Sequence, residues 1–459
     1  MRLFLFFALF TLGFAQTATA NDDWQIPEAL ADKAAVLNEA QLGFLQAGQA
    51  LAMLPERQLL HEIATRDAEG LQRFVDELMA VAAGMGYDPG RDMGAAPLNL
   101  TTSEFNPPEP TPEALRKSKR TSGPFSVSRY LYPKSGVPTF GGAPVAVWPE
   151  DLVAGEVDVA IVGVPSNSSS GRRDAIWAPF KMRGLTFSTS VIGAVDAQSL
   201  LKPMDVLSVV DYGNFDVDIM GLELTVEPLI KRVAEVASSG AIPMLVGGDT
   251  SIVYPAVAGV ARVGSDANLG LLHLSAHADI DALHDHTIAD RRVIYRLLDE
   301  AVVQGDNTLM MGLRGSDIDV AALTWLREQN VRYHTMAAVK QRGFAKSFKR
   351  LQRELARQQG PLFVSVDVSV LSSSDMIAAG RLTPGGLSLA EVTAVVRHAC
   401  AARPISGFAI TDLAPMLDVS QQSLVHAATV LNACLQGVAV NRAGLAPDYI
   451  HPLALSHGR

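Results

Sequence analysis

The chain has 459 residues, 48% of them hydrophobic and 19% charged, enough apolar material for a large buried core and roughly two to three domains. Its 48 acidic residues outnumber 38 basic ones, a formal net charge of −10 that excludes a surface built to hold nucleic acid or an anionic membrane. This mild acidity names no ligand.

Residues 1–20, "MRLFLFFALFTLGFAQTATA", join one early positive charge at Arg2 to an apolar stretch and a small-residue end at Ala18-Thr19-Ala20. That is the form of a secretory signal cleaved after Ala20, and the stretch from Leu3 to Ala15 is shorter than the roughly 20 residues that span a bilayer. The expectation is a secreted or periplasmic protein with no membrane association after cleavage. Residues 21–86 form a helical segment, because Leu59, Leu60, Ile63, Leu71, Phe74, Val75, Leu78 and Met79 recur at helical spacing. Residues 87–127 contain "NPPEPTPEA" and a basic "RKSKR" without sustained periodicity, which predicts a linker or an irregular arm.

Residues 128–459 change pattern to short β-branched runs alternating with helical stretches. The predicted strands are 157–165, 206–213, 242–249, 269–277, 308–315, 331–336, 361–370 and 406–415. Strands separated by helices require right-handed crossovers, so the fold class is α/β, a three-layer sandwich with a mostly parallel sheet of about eight strands. Ligand sites in such sheets lie beyond the carboxyl ends of the strands. Cys400 and Cys434, the only cysteines, fall in two helix-like segments and could pair in an oxidising compartment or remain as two buried thiols.

Polar residues gather at three of these strand ends, "GGDTS" (247–251), "SAHAD" (275–279) and "SVDVS" (365–369). In an extended chain Ser275, His277 and Asp279 point one way, as do Ser365, Asp367 and Ser369. His and Asp converging from strand ends are metal-ligand types. Ser275 lacks the strained Gly-x-Ser-x-Gly elbow of a serine hydrolase, so it does not look like a nucleophile.

In order and spacing the three ends resemble the signatures of the ureohydrolase family of arginase and agmatinase, Gly-Gly-Asp-His-Ser, Asp-Ala-His-x-Asp and Ser-x-Asp-x-Asp. "GVPTF" (136–140), "IVGVPSNSS" (161–169), "MGLRG" (311–315), "LTPGGLSLAEV" (382–392) and "DLAP" (412–415) extend the likeness, which is closest in pattern to agmatinase. The resemblance implies two bridged divalent metals, usually manganese, that activate a hydroxide to attack a guanidinium carbon and release urea. The implied ligand positions fall on Thr250, Ser275, His277, Asp279, Asp367 and Ser369. Half of them are no longer ligands of the family's type: Thr250, Ser275 and Ser369 are neutral hydroxyls.

The remaining pair, Asp279 and Asp367, can balance one divalent cation but not two, and a second uncompensated ion would be prohibitive to bury. The dinuclear manganese centre is therefore expected not to form, leaving no metal or one, Mn or Zn, on His277, Asp279 and Asp367. The resemblance further assigns substrate contact to Asn167, guanidinium contact to Asp412 and proton shuttling to His286, although Thr287 stands where the family has Gly. "SSSDMIAAGRL" (372–382) departs from the family's Asp-Pro and Ala-Pro-Gly segment.

The function expected is an exported ureohydrolase-fold protein without dinuclear amidinohydrolase activity, binding a ligand or acting structurally. Asp279, Asp367 and Asp412 would draw a small guanidino or amine ligand. The alternative is an agmatinase-like hydrolase with one atypical metal. Homo-oligomers are implied by the resemblance. Restoring Thr250→His, Ser275→Asp and Ser369→Asp together is expected to raise Mn²⁺ affinity.

Overall fold

The computed structural model describes residues 24–84 except 53 and 55, and residues 138–455 except 168–172, 190, 219–221, 265–267, 282–288 and 317. The expected signal (1–20) and linker (87–127) lie outside the described residues. Contacts divide the chain into two units, Met1–Asn99 with Arg120–Ser126, and Leu100–Lys119 with Val127–Arg459.

The first unit is helical, as the spacing predicts. Its main helices are α1 (Glu39–Gln46), α2 (Glu56–Thr65) and α3 (Ala68–Gly84). Asn38 begins α1 with a capping box, its side chain accepting from the Gln41 amide while the Gln41 side chain accepts from the Asn38 amide. Leu59, Ile63, Leu71, Phe74, Val75 and Leu78 bury one stripe of α2 and α3 against Trp24, Phe44 and Leu45.

In the second unit every strand but the last is followed by a helix of its crossover. The strands are β1 (Val159–Val164), β2 (Val209–Asn214), β3 (Ile242–Gly247), β4 (Gly270–Leu274), β5 (Thr308–Leu313), β6 (Arg332–Thr335), β7 (Leu362–Asp367) and β8 (Ile405–Thr411). They form one sheet in the order β2-β1-β3-β8-β7-β4-β5-β6, with every strand pair parallel. All eight predicted strands are present, each observed core being slightly shorter than the run that signalled it.

Alternation along the strands sends side chains to two apolar layers. Ile161, Met244, Leu272, Val364 and Ile410 face one layer, while Ala160, Leu245, Leu271, Phe363 and Ala409 face the other. The first layer is covered by α4 (Ala178–Thr189), α9 (Phe344–Leu355), α10 (Leu389–Ala402) and α11 (Gln422–Arg442). The second is covered by α5 (Leu222–Ser238), α6 (Val253–Val263), α7 (Val293–Asp299) and α8 (Val320–Glu328). Both faces of the sheet are thus dry, which is why its strands read as near-continuous apolar runs.

Helix α11 is long and apolar enough to cross a membrane by length and composition, yet most of it is buried in the core against α10 and the sheet. Cys400 on α10 and Cys434 on α11 form a disulfide, so of the two states open to them the bonded one is found.

Candidate functional site

Four adjacent strands at the centre of the sheet, β3, β8, β7 and β4, bring their carboxyl ends side by side. Thr250 follows β3, Asp412 follows β8, Asp367 ends β7, and Asp279 lies just past β4. Gly248 makes this edge tight. Its amide donates to the Val164 carbonyl and its carbonyl accepts from the Asp412 amide, while a Cβ there would lie 1.8 Å from the Ser166 oxygen.

The simple alternation expected for "SAHAD" and "SVDVS" does not hold. Strand β4 stops at Leu274 and β7 at Asp367, so most of both motifs lies in turns. Asp279 has a left-handed backbone, φ 52°, and Asp412 does too, φ 65°. Polar groups here cap the ending strands: the Asp367 carboxylate accepts from the Ser369 amide, and the Ser275 hydroxyl accepts from the His277 amide. Ser369 Oγ accepts in turn from the Ala276 amide at 3.3 Å.

The cage these ends enclose is occupied by a side chain of the protein itself. Arg381, in the segment between β7 and α10, extends its guanidinium among the carboxylates. Nη1 donates to Asp279 Oδ1 at 2.7 Å and Nη2 donates to Asp367 Oδ2 at 2.7 Å. Nη2 also reaches Asp279 Oδ2 at 3.3 Å and Thr250 Oγ1 at 3.2 Å, while Nε lies 3.4 Å from Asp290 Oδ2. The Arg381 amide donates to Asp412 Oδ2 at 2.7 Å, and its carbonyl oxygen is 3.3 Å from His277 Nε2. A planar fork against carboxylates is the strongest common form of charged hydrogen bonding.

The electrostatics follow from this arrangement. Burial works against the charges of Asp279 and Asp367, but Arg381 together with His273 at Asp279, and Arg381 together with His277 and Ser369 at Asp367, outweigh it: Asp279 is held well below the usual carboxylate range and Asp367 is lowered. Burial also opposes ionisation of Arg381, and the same two carboxylates keep it firmly protonated. Asp412 goes the other way: burial, reinforced by the charge of Asp367, pushes it well above its ordinary value. Its Oδ1 is buried with no hydrogen-bond partner among the described residues. Asp290 is pushed up to about 6, chiefly by burial.

These residues do not fit a dinuclear metal centre. Asp279 Oδ1 and Asp367 Oδ2 accept from the guanidinium of Arg381. Thr250 donates its hydroxyl to Asp367 Oδ2 at 2.7 Å, and the Ser275 and Ser369 hydroxyls accept from backbone amides. Neutral hydroxyls committed in this way are poor ligands for divalent ions.

The sequence-predicted residues therefore divide. Asp279, Asp367, Thr250 and Asp412 meet around Arg381, and His277 holds the Arg381 backbone. Ser275 and Ser369 secure the chain turns beside the cage. Asn167 is half-buried just after β1, and His286 lies outside the described residues. Arg381, Asp290 and His273 were not singled out. His273, buried on β4, places Nδ1 3.0 Å from Ser365 Oγ and Nε2 3.4 Å from Asp279 Oδ2. A signal for Arg381 existed: a lone cation in a segment that departs from the family, beside a site with acidic charge to balance.

The sheet order and the acidic cage at its central carboxyl edge define an α/β protein of the ureohydrolase class. The chain belongs to the arginase family, whose model, described as "Arginase family", matches residues 157–436. It is 24% identical over 300 residues to formimidoylglutamase of Bacillus subtilis (strain 168), covering 65% of this chain and 91% of that one. It is 26% identical over 313 residues to mitochondrial agmatinase of Gallus gallus, covering 66% of this chain and 88% of that one. The solved structure of Trypanosoma cruzi formiminoglutamase with Mn²⁺₂ superposes with a TM-score of 0.55 at 21% identity, covering 62% of this chain and 94% of that one.

Proposed function

We propose that this protein is an exported arginase-family member that does not perform dinuclear manganese amidinohydrolysis and serves instead as a binding or structural protein. The observation that carries the reading is the Arg381 guanidinium bonded to Asp279 and Asp367, a fixed monovalent cation where metal activation of water would need two divalent ones. Export is supported by the apolar N-terminal stretch and by the Cys400–Cys434 disulfide, a bond that persists in oxidising compartments.

The test is direct. Full-length protein is incubated with Mn²⁺ and, separately, Zn²⁺, desalted, and assayed for bound metal and for urea release from agmatine and guanidinobutyrate. The expected result is neither bound metal nor urea; stoichiometric metal with turnover overturns the reading.

A second reading is supported by the names of the relatives, which are hydrolases of guanidino and amidino compounds. A hydrolase with one metal on His277, Asp279 and Asp367 would require Arg381 to leave the cage. One metal ion per chain together with urea release in the same assay would select it.

A further inference from the structure

The segment that carries Arg381 is anchored independently of its guanidinium. Its base is closed by backbone hydrogen bonds from Ser372 to the Leu387 carbonyl and from Leu387 to the Val370 carbonyl. Near the tip, the Gly380 amide donates to the Asp412 carbonyl at 2.8 Å and the Ala414 amide to the Ala378 carbonyl at 2.7 Å. Arg314 braces both ends of the segment through the carbonyls of Leu371 and Thr383. A compact loop closed at its base and tied at its tip keeps its path when one side chain is shortened. Truncating Arg381 would therefore leave a hole of guanidinium shape rather than a collapsed loop.

The walls of that hole are chemically selective. Asp279 presents both oxygens to a planar fork, Asp367 presents one, and Asp290 Oδ2 lies 3.4 Å from Arg381 Nε. Thr250 Oγ1 accepts from the same fork at 3.2 Å. Acceptors spaced for a flat, delocalised cation suit guanidinium, whereas a divalent ion needs charged or imidazole ligands converging on a point.

We infer that the cage formed by Asp279, Asp367, Asp290 and Thr250 is a guanidinium-binding site whose resident ligand is the chain's own Arg381, and that without this side chain it takes free guanidinium ion in preference to a divalent metal. The inference rests on the reading that the cage does not serve two metals and specifies what it does hold. The protein carries a tethered copy of the chemical group on which agmatinase-type relatives act.

The experiment uses full-length Arg381→Ala with the disulfide intact. Low-millimolar guanidinium chloride is expected to raise its Tm by about 2 °C, growing with the logarithm of concentration, with NaCl, urea and Mn²⁺ at equal concentration giving no comparable rise. Wild-type protein, its cage filled, is expected not to respond. Arg381→Ala/Asp279→Asn is expected to lose the response by about tenfold in affinity, because half the fork's acceptors lose their charge. If Arg381→Ala is insoluble, it is refolded from urea with guanidinium chloride or NaCl, and higher recovery with guanidinium supports the inference. Equal recovery with both salts overturns it, as do a Tm shift shared with wild type and tighter binding of Mn²⁺ than of guanidinium. These outcomes are read on the variant's binding, whereas the proposed function fails only through metal loading and urea release by wild-type protein.

Discussion

Arg381 Nη2 lies 2.7 Å from Asp367 Oδ2, across 14 residues of sequence, and the pair sits at the carboxyl edge of β7 where the family resemblance placed a metal ligand. The contact changes what must be done to rebuild metal chemistry in this fold.

Restoring Thr250→His, Ser275→Asp and Ser369→Asp adds ligands but leaves a fixed cation among them. The triple variant is therefore expected to retain no Mn²⁺ after desalting, while the same three changes combined with Arg381→Ala are expected to retain it, since charge repulsion and steric blockage are then both removed. Elemental analysis of the two variants in parallel decides the matter. Stoichiometric manganese in the triple variant would show that Arg381 yields to metal, and the sequence-level expectation for three substitutions would stand.

Arg314, the arginine of "MGLRG", serves the cage from below. Its guanidinium donates to the carbonyls of Gly312, Ser369, Val370, Leu371, Thr383 and Pro384. Arg314→Ala leaves several of these acceptors without a donor and is expected to cost about 3 kcal/mol of stability in urea unfolding. Arg314→Lys should recover only part of this, because a point charge cannot serve carbonyls spread around a planar fork. Full recovery by lysine would mean that net charge rather than geometry is what matters there.

At the far edge of the sheet, Glu354 on α9 has Oε2 2.6 Å from His334 Nε2 on β6 and accepts at Oε1 from Arg350 Nε at 2.8 Å. Burial disfavours the carboxylate, but these hydrogen bonds outweigh it and hold Glu354 at about 2, below its ordinary 4.5. A carboxyl group with a depressed folded-state pKa contributes stability that is complete above the unfolded value and is lost as pH falls through the folded one. Stability should therefore decline between about pH 4.5 and 2, and Glu354→Gln should flatten that limb while lowering stability at neutral pH by about 2 kcal/mol. Urea midpoints measured across this range for both proteins provide the check; parallel curves would remove Glu354 from the acid transition.

The Cys400–Cys434 bond closes a loop with a sequence separation of 34 and joins α10 to α11 through the most heavily packed helix pair of the core. Cross-linking a loop of that length is worth about 3.8 kcal/mol in the chain-entropy treatment. Cys400→Ser/Cys434→Ser, or reduction under denaturing conditions followed by thiol capping, is expected to lower the urea midpoint accordingly, and an unchanged midpoint would mean that helix packing alone holds this face.

Much of the architecture is legible in the sequence alone. The apolar runs of β3, β4, β7 and β8 announce a doubly covered sheet because strands buried on both faces lose their polar alternation. Asp279 and Asp367 were singled out because their motifs follow such runs, and both lie in the cage. Strict strand alternation does not extend to these residues: positive φ at Asp279 and Asp412 turns the chain out of the extended path that the motif spacing predicts. Arg381 stayed hidden for a related reason. It lies in a loop without periodicity, and its role depends on where that loop is tied to the end of β8.

Local composition and periodicity were thus enough to specify eight strands and their helical partners, since those features depend on residues close in sequence; that Thr250, Ser275 and Ser369 stand where relatives would have metal ligands is implied only by the family resemblance of their motifs. The cation that balances the remaining carboxylates could not be read that way. The meeting of Arg381 with Asp279, 102 residues away, is set by strand order and loop anchoring, and long-range electrostatic complementarity leaves no local pattern in the chain.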